Sequence, residues 1–304
     1  MYDVIGDIHG HADELENLLR HLGYNDTPTG FCHPERKVIF LGDFIDRGEH
    51  LVQHRRLLEV VMKMVRSEHA LAVMGNHEFN ALAYHTEHEG EFLRLHTEKN
   101  RKQHQAFLNE FEHDPDAKKE VLEFFFELPL WLELDEFRVV HACWCQESID
   151  FLRGLEGSPY LTRDLLVKAS TKGSREFTAV ETLLKGYEIE LPGGVYFQDK
   201  DGNRREWMRV QWWKDEAKHL GEVALPFGVD LGQAGQLPIP EGVPRYPKDE
   251  KPCFIGHYWQ SGEPRTLSVN VACLDYSVAK GGRLMAYRWL GEPELIKEHF
   301  CSVR

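Results

Sequence analysis

The apolar positions divide the first eighty residues into alternating short runs and helical stretches. Residues 2–6 (YDVIG) form a compact apolar run, after which Leu15, Leu18, Leu19 and Leu22 recur at the spacing of one helical face. Asp13 is the expected N-cap of that helix and Gly23 its stop. A second run, residues 37–42 (KVIFLG), precedes an amphipathic stretch carrying Leu51, Leu57, Leu58, Val61, Met64 and Val65. A third, residues 70–74 (ALAVM), ends at Gly75. Strand, helix, strand, helix, strand predicts an α/β layered fold with parallel strands.

The pattern then changes. Residues 84–126 are charged, rich in histidine and helical in character, as expected of a segment inserted between core elements. Residues 137–140 (FRVV) return to strand. Residues 157–225 are less regular, and LPGGVYFQDKDGNRREW (191–207) predicts a hairpin from its Gly and Asp-Gly signals. Several prolines make residues 238–252 a loop. CFIGHYW (253–259), SVNVACLDY (268–276) and RLMAYRW (283–289) read as closing strands. The chain carries no internal repeat and no low-complexity tract.

Composition narrows the class. Of the 304 residues, 42% are hydrophobic and 28% charged, ordinary for a globular protein. No apolar run approaches the roughly 18–20 residues of a membrane span, and a strand pattern starting at residue 2 leaves no room for a leader, so a cytoplasmic protein is expected. A net charge of −14 argues against a broad basic face for nucleic acid, though a small phosphorylated substrate needs only local positive charge. The six cysteines form no disulfide framework. Cys143 and Cys145 could share a strand face, but no second pair completes a thiolate site, and they read as buried thiols.

The polar residues at the strand ends change the picture. Asp7 and His9 follow the first run, Asp43 the second, Asn76 and His77 the third, His141 the fourth and His257 the fifth. Each alone reads as a loop or core residue. In α/β sheets, however, sites form beyond the carboxyl ends of strands, and five such endings together point to a metal site. Oxygen and imidazole donors without thiolate suit a divalent ion such as manganese, iron or zinc.

The chain resembles the calcineurin-like metallophosphoesterases through GDIHG (6–10), GDFIDRG (42–48), GNHE (75–78), VVHA (139–142) and GH (256–257), over roughly residues 1–80, 137–145 and 252–290. The resemblance implies a layered β-sandwich flanked by helices, with residues 1–304 as one domain and insertions at about 84–126 and 157–250. It implies two divalent cations, manganese first with iron, zinc or nickel as alternatives. Asp7 and His9 would hold one, Asp43 would bridge, and Asn76, His141 and His257 would complete the other. His77 would be the general acid, oriented by Asp46, and Arg47 would bind a phosphoryl oxygen.

The chemistry is coherent in its own terms. Two cations roughly 3.5–4 Å apart offset phosphate charge and acidify a bridging water for in-line attack. The shared ligand should be a carboxylate with two oxygens, hence Asp43. A histidinium can protonate the leaving oxygen, a carboxylate beside it favours the charged form, and a guanidinium matches phosphate.

One departure from the wider superfamily is Trp259, which stands where a second histidine ligand often follows Gly256-His257. It places the chain nearer the bacterial phosphoprotein phosphatase and bis(5'-nucleosyl)-tetraphosphatase branch. Cys143 is another, standing where relatives often have glycine. The implied activity is serine/threonine-type protein phosphatase, with bis(5'-nucleosyl)-tetraphosphatase or phosphatase of nucleotides and nucleic-acid ends as alternatives. A catalytically silent binding module is a more distant one.

Other candidates read more plainly. His11 lies beyond the motif and reads as solvent-facing, and His85, His88, His96, His104 and His113 read as a solvated helical face. Trp207, Trp212, Trp213 and Phe197 could stack a base or pack a small core, and packing is the favoured reading. Arg153, Arg163, Arg204 and Arg205 are candidates for a second phosphate clamp, none singled out.

Overall fold

The computed structural model describes residues 1–47, 53–198 and 202–303. Two sheets carry the fold. The first contains β1 (Tyr2–Ile5), β2 (Lys37–Phe40) and β3 (Ala70–Ala72). The second contains β4 (Trp131–Glu133), β5 (Arg138–Val140), β6 (Cys253–Ile255) and β7 (Val271–Cys273). The chain returns to the first sheet with β8 (Met285–Trp289) and β9 (Phe300–Ser302). The orders are β9-β8-β1-β2-β3 and β7-β6-β5-β4. β1, β2 and β3 are mutually parallel, as the alternation of runs and helices predicts. β4 and β9 were not among the strands expected from the sequence.

Period-two alternation sorts the strand residues between two cores. Val4, Ile39, Val139, Phe254, Ala272, Met285, Tyr287 and Trp289 share one cluster, facing each other between the sheets. Ile5, Val38, Phe40, Val140, Cys253, Ile255 and Ala286 belong to the other, with the apolar stripes of the helices. These are α1 (Ala12–Leu22), α2 (His54–Arg66), α3 (Asn76–His85), α4 (Glu98–Gln103), α5 (Gln105–Phe111), α6 (Pro115–Phe126), α7 (Gln146–Arg153), α8 (Arg163–Ser170) and α9 (Arg175–Lys185). The result is a β-sandwich flanked by helices.

Several local expectations need correction. The N-cap of α1 is His11, not Asp13, whose carboxylate is taken by Gln53 (2.7 Å) and Arg56 (2.7 Å). Gly23 does end the helix, at φ 93°. His11 is half-buried rather than solvent-facing. The stretch 84–126 is not helical throughout, since Glu87–His88 pairs with Glu91–Phe92 as a hairpin before α4. Within 157–225 the structure has α8 and α9, whose caps were legible: Thr162 accepts from the Leu165 N–H and Ser174 from the Phe177 N–H. The predicted hairpin pairs Phe197–Gln198 with Arg204–Arg205. Gly48, Leu51 and Asp201 lie outside the described residues. Among those described, no helix is long and apolar enough to cross a membrane.

Asp3 ties the first sheet to its surroundings. It is fully buried on the helix side of β1. Its carboxylate accepts from Arg36 Nε (2.8 Å), from Arg288 Nε (2.9 Å) on the neighbouring strand, and from the Tyr24 hydroxyl (3.1 Å). Removing it leaves two guanidinium groups without their counter-charge. Asp3→Ala is expected to cost about 3–5 kcal/mol, read from urea unfolding. A loss below about 1 kcal/mol would put the pair in the class of surface ion pairs.

Candidate metal centre

The residues at the strand ends meet at one edge of the sandwich. Backbone bonds bring the first two loops together: the amides of Ile8 and His9 donate to the Asp43 carbonyl at 3.1 and 2.9 Å, and Gly10 to that of Phe44 at 2.7 Å. The third loop is joined by Glu78, which is completely buried. Its carboxylate accepts from the amides of Asp43 (2.8 Å), Phe44 (2.9 Å) and Gly75 (2.9 Å). Burial, with the Asp43 charge next, raises its carboxyl to about 7. Glu78 lay inside a recognised motif, yet nothing in the sequence assigned it this task.

Two glycines are set by close approach. A Cβ at Gly75 would stand 2.3 Å from the Asp43 nitrogen, and one at Gly256 would stand 2.0 Å from Asp7 Oδ1. Backbone strain gathers at the same edge. Of the eight non-glycine residues with positive φ among those described, five are His9, Asp43, Asp46, Arg47 and His257. Such conformations cost about 1–3 kcal/mol each and persist where packing over-determines them. Cys143 is not among them, so its loop does not require the glycine found in relatives.

Asp43 lies at the centre. It belongs to two groups whose donor atoms all lie within 4.8 Å of one another, His9–Asp43–His77 and Asp43–His141–His257. Oδ2 stands 3.8 Å from His9 Nε2, while Oδ1 stands 3.4 Å from His141 Nε2 and accepts from the His77 amide at 3.0 Å. Asn76 joins the second group, with Oδ1 2.8 Å from His257 Nδ1 and 3.3 Å from His141 Nε2. Asp7 belongs to neither three-residue group. Its carboxylate accepts from the His257 amide at 3.1 Å, and burial, with the nearby Asp275 next, raises it well above the ordinary carboxylate range.

The donor set suits divalent cations. Burial pushes His9 down to about 3 and His257 well below its ordinary value, which keeps both imidazoles neutral with a lone pair to offer. His257 Nε2 is buried without a hydrogen-bond partner, an orphaned donor atom aimed at nothing else in the protein. His9 Nδ1 is bonded to the Ile45 carbonyl (3.0 Å) and His141 Nδ1 to that of Leu41 (2.7 Å), which sets the tautomers and leaves each Nε2 toward Asp43. Burial would lower His141, but the Asp43 charge and hydrogen bond, the Asp7 charge and the Leu41 carbonyl together outweigh it and raise the imidazole to about 10.

Asp46 and Arg47 sit beside this cluster. Asp46 Oδ2 is 3.1 Å from His77 Nδ1. Burial works to lower His77, and the charges of Asp43 and Asp46 outweigh it, raising the imidazole above 6.5. Arg47 Cζ stands 4.5 Å from the centre of the Trp259 ring, and Lys280 Nζ 2.7 Å from the same centre. Trp259 thus gathers two cations at the site.

Three further residues here were not legible. Asp275, just past β7, is buried with Oδ2 unpartnered, and burial raises its carboxyl to about 6. It adds a sixth strand end to the five expected. Lys280 is the second. The third is His104, read as part of a solvated face but only 3% exposed and bonded to Asp46 Oδ1 at 2.9 Å. A more informative signal was its place between α4 and α5, next to the apolar Ala106, Phe107 and Leu108.

The remaining candidates fall elsewhere. Trp212 and Trp213 are buried, and the Trp212 indole donates to the Ala142 carbonyl (3.1 Å), so they pack beneath the His141 loop. Phe197 is buried, whereas Trp207 is 54% exposed. Arg153 pairs with Glu133 and Asp150, Arg163 with Glu123 and Arg204 with Glu206, while Arg205 lies on the exposed hairpin. All six cysteines are free thiols.

The sequence model of the family described as calcineurin-like phosphoesterase matches residues 2–257, and the chain belongs to that family. A bis(5'-nucleosyl)-tetraphosphatase PrpE (asymmetrical) of Bacillus thuringiensis (strain Al Hakam) is 44% identical over 78 residues. That stretch covers 25% of this chain and 30% of the relative. Among solved structures, a Saccharomyces cerevisiae protein serine/threonine phosphatase with similarity to human phosphatase PP5 aligns with a TM-score of 0.51 at 16% identity, over 99% of this chain and 78% of that one. A cold-active protein tyrosine phosphatase aligns with a TM-score of 0.50 at 18% identity, over 94% and 73%. These two likenesses concern the fold.

His141 must surrender a proton before its Nε2 can hold a cation, so Mn²⁺ binding should release protons and tighten as pH rises through the neutral range. Calorimetry in buffers of different ionisation enthalpy reads that release, and affinity independent of pH would contradict it. Asp43→Asn removes a charged oxygen from both groups and should weaken binding by more than about tenfold.

Proposed function

We propose that this protein is a metal-dependent phosphoric ester hydrolase with two divalent cations, and that its substrate carries linked phosphates, as a dinucleoside polyphosphate does. The observation that carries the reading is the Asp43 carboxylate shared between two donor groups, with a carboxylate-backed histidine beside it. Asp7, His9 and Asp43 would hold one cation, and Asp43, Asn76, His141 and His257 the other. Manganese is the first assignment, with iron, zinc or nickel next, because every donor is oxygen or imidazole. Bound there, the cations supply positive charge for the phosphoryl oxygens and for the attacking water.

The chain's own residues do the rest. Arg47 draws a phosphoryl oxygen with its guanidinium fork. His77, bonded through Nδ1 to Asp46, carries its transferable proton on Nε2 and gives it to the leaving oxygen. Asp46 stabilises the imidazolium before transfer and fixes the ring's orientation.

The sequence placed phosphoprotein hydrolysis first. Two observations move the substrate toward a phosphoanhydride. Arg47 and Lys280 stand against one indole ring, gathering two positive charges where a single phosphoryl group needs one. The relative matched over the first motifs is a bis(5'-nucleosyl)-tetraphosphatase. The two insertions, at about 84–126 and 157–250, would shape what reaches the centre. A cytoplasmic location belongs to the same reading, supported by six free thiols in a chain of this size.

In a Mn²⁺-supplemented comparison, diadenosine tetraphosphate should be hydrolysed in preference to phosphoserine peptides, mononucleotides and end-phosphorylated oligonucleotides. Preference for the peptide would return the phosphoprotein reading to first place. Lys280→Ala should raise KM for diadenosine tetraphosphate by roughly 5–30-fold, the loss of one charge-assisted contact of about 1–2 kcal/mol, with a smaller effect on para-nitrophenyl phosphate. Equal effects on both would remove Lys280 from recognition of the second phosphate.

A further inference from the structure

Behind His77 the hydrogen bonds do not stop at Asp46. Asp46 Oδ2 meets His77 Nδ1 at 3.1 Å and its Oδ1 meets His104 Nδ1 at 2.9 Å. His104 Nε2 in turn lies 3.1 Å from His85 Nε2. The four side chains form one line from the half-buried end of α3 to the cluster of donors. His77, Asp46 and His104 are all buried, at 8, 2 and 3% exposure. His104 is wedged in place, stacked on Phe107 with ring centres 4.7 Å apart and tilted against Tyr84 at 5.0 Å.

The bonding order sets the protons. A carboxylate offers only acceptors, so both imidazoles that touch Asp46 must present N–H at Nδ1. Two facing Nε2 atoms cannot both be acceptors, so one proton lies between His85 and His104, and whichever ring carries it the His104 Nδ1–H stays on Asp46. Burial pushes His85 down to about 3, consistent with a neutral ring. Each Asp46 oxygen therefore has one imidazole donor, and the carboxylate cannot turn without breaking a buried hydrogen bond. With the His104 donor removed, Asp46 Oδ1 loses its hydrogen bond in the narrow cleft that Asp46, His77 and Arg94 line, and the carboxylate is no longer pinned at both oxygens.

We infer that His104, braced by His85, is a positioning residue for proton delivery: it locks Asp46 in the orientation that keeps His77 Nε2 directed at the leaving group. The inference rests on His77 being the proton donor. It gives the segment 84–126 a part in the chemistry beyond covering the site, because His104 is contributed by that segment.

The test uses two esters in the Mn²⁺-loaded full chain: phenyl phosphate, whose leaving group needs a proton, and para-nitrophenyl phosphate, which needs it far less. His104→Phe keeps the stack on Phe107 but has no N–H, whereas His104→Asn keeps a donor near the Nδ1 position. For His104→Phe, kcat on phenyl phosphate should fall about 10–100-fold, part of the 10²–10⁴ that general acid catalysis contributes. The fall on para-nitrophenyl phosphate should be several-fold smaller, and His104→Asn should recover most of the loss.

Equal losses on both esters, or no recovery in His104→Asn, would overturn the role. Should His104→Phe not fold, imidazole nitrogen NMR of the unmutated protein decides instead: His104 must be the Nδ1–H tautomer, and the Nε2–H tautomer would overturn the inference. His77→Asn separates the two levels. If it loses both esters equally, the general-acid reading itself fails; if only His77→Asn is selective, the role of His104 alone fails.

Discussion

One buried carboxylate ties together two of the three loops that meet at the donor-lined edge of this protein, and the third hangs on the residue it holds. Glu78 takes the amides of Asp43, Phe44 and Gly75, so the loop after β2 and the start of α3 are built as a single unit. Asp43 depends on that unit, since its left-handed backbone (φ 50°) is strained and its carboxylate must face donors from both sheets. The Asp43 carbonyl then holds the loop after β1 through the amides of Ile8 and His9. Without this arrangement the motifs would be three neighbouring loops rather than one site. Positive φ at five of these residues is the conformational cost of aiming short side chains inward from strand ends.

The electrostatics follow from that construction. Packing carboxylates and imidazoles into a dry edge drives their proton affinities apart. His9 and His257 are held neutral by burial, whereas His141 and His77 are raised because the charges and hydrogen bonds of the neighbouring carboxylates together outweigh the same burial. His9 and His257 therefore offer lone pairs as they stand, whereas His141 must first give up a proton. Trp259 extends the logic outward. Where other members of the superfamily often carry a histidine, this chain has an indole that gathers Arg47 and Lys280, bringing positive charge to the mouth of an acidic protein.

Much of this was legible in the sequence, for identifiable reasons. Parallel strands with helical crossovers write themselves as alternating runs, and a turn that must present Asp or His next to a close backbone contact demands glycine. Gly75 and Gly256 are therefore visible as punctuation and necessary as space. The helices α8 and α9 were missed although Thr162 and Ser174 cap them, because their apolar stripes are short. His104 was misread for a different reason. A histidine among charged residues has the composition of a surface, and only the fold shows that it turns inward to meet Asp46, 58 positions earlier in the chain.

The sequence by itself determined the strand-end chemistry: which residue types follow which apolar runs, and hence the oxygen and imidazole donors and the family the chain belongs to. It could do so because those motifs are local, each read within a few residues. Tertiary structure alone decided what depends on contacts between distant segments. It set Glu78 as the tie between loops, brought Asp275 in as a sixth strand end, and placed Lys280 with Arg47 on Trp259. It also set His104 and His85 behind Asp46. The long-range partners have no local signature, because a hydrogen bond or ring contact between residues far apart in the chain leaves no periodicity and no spacing to read.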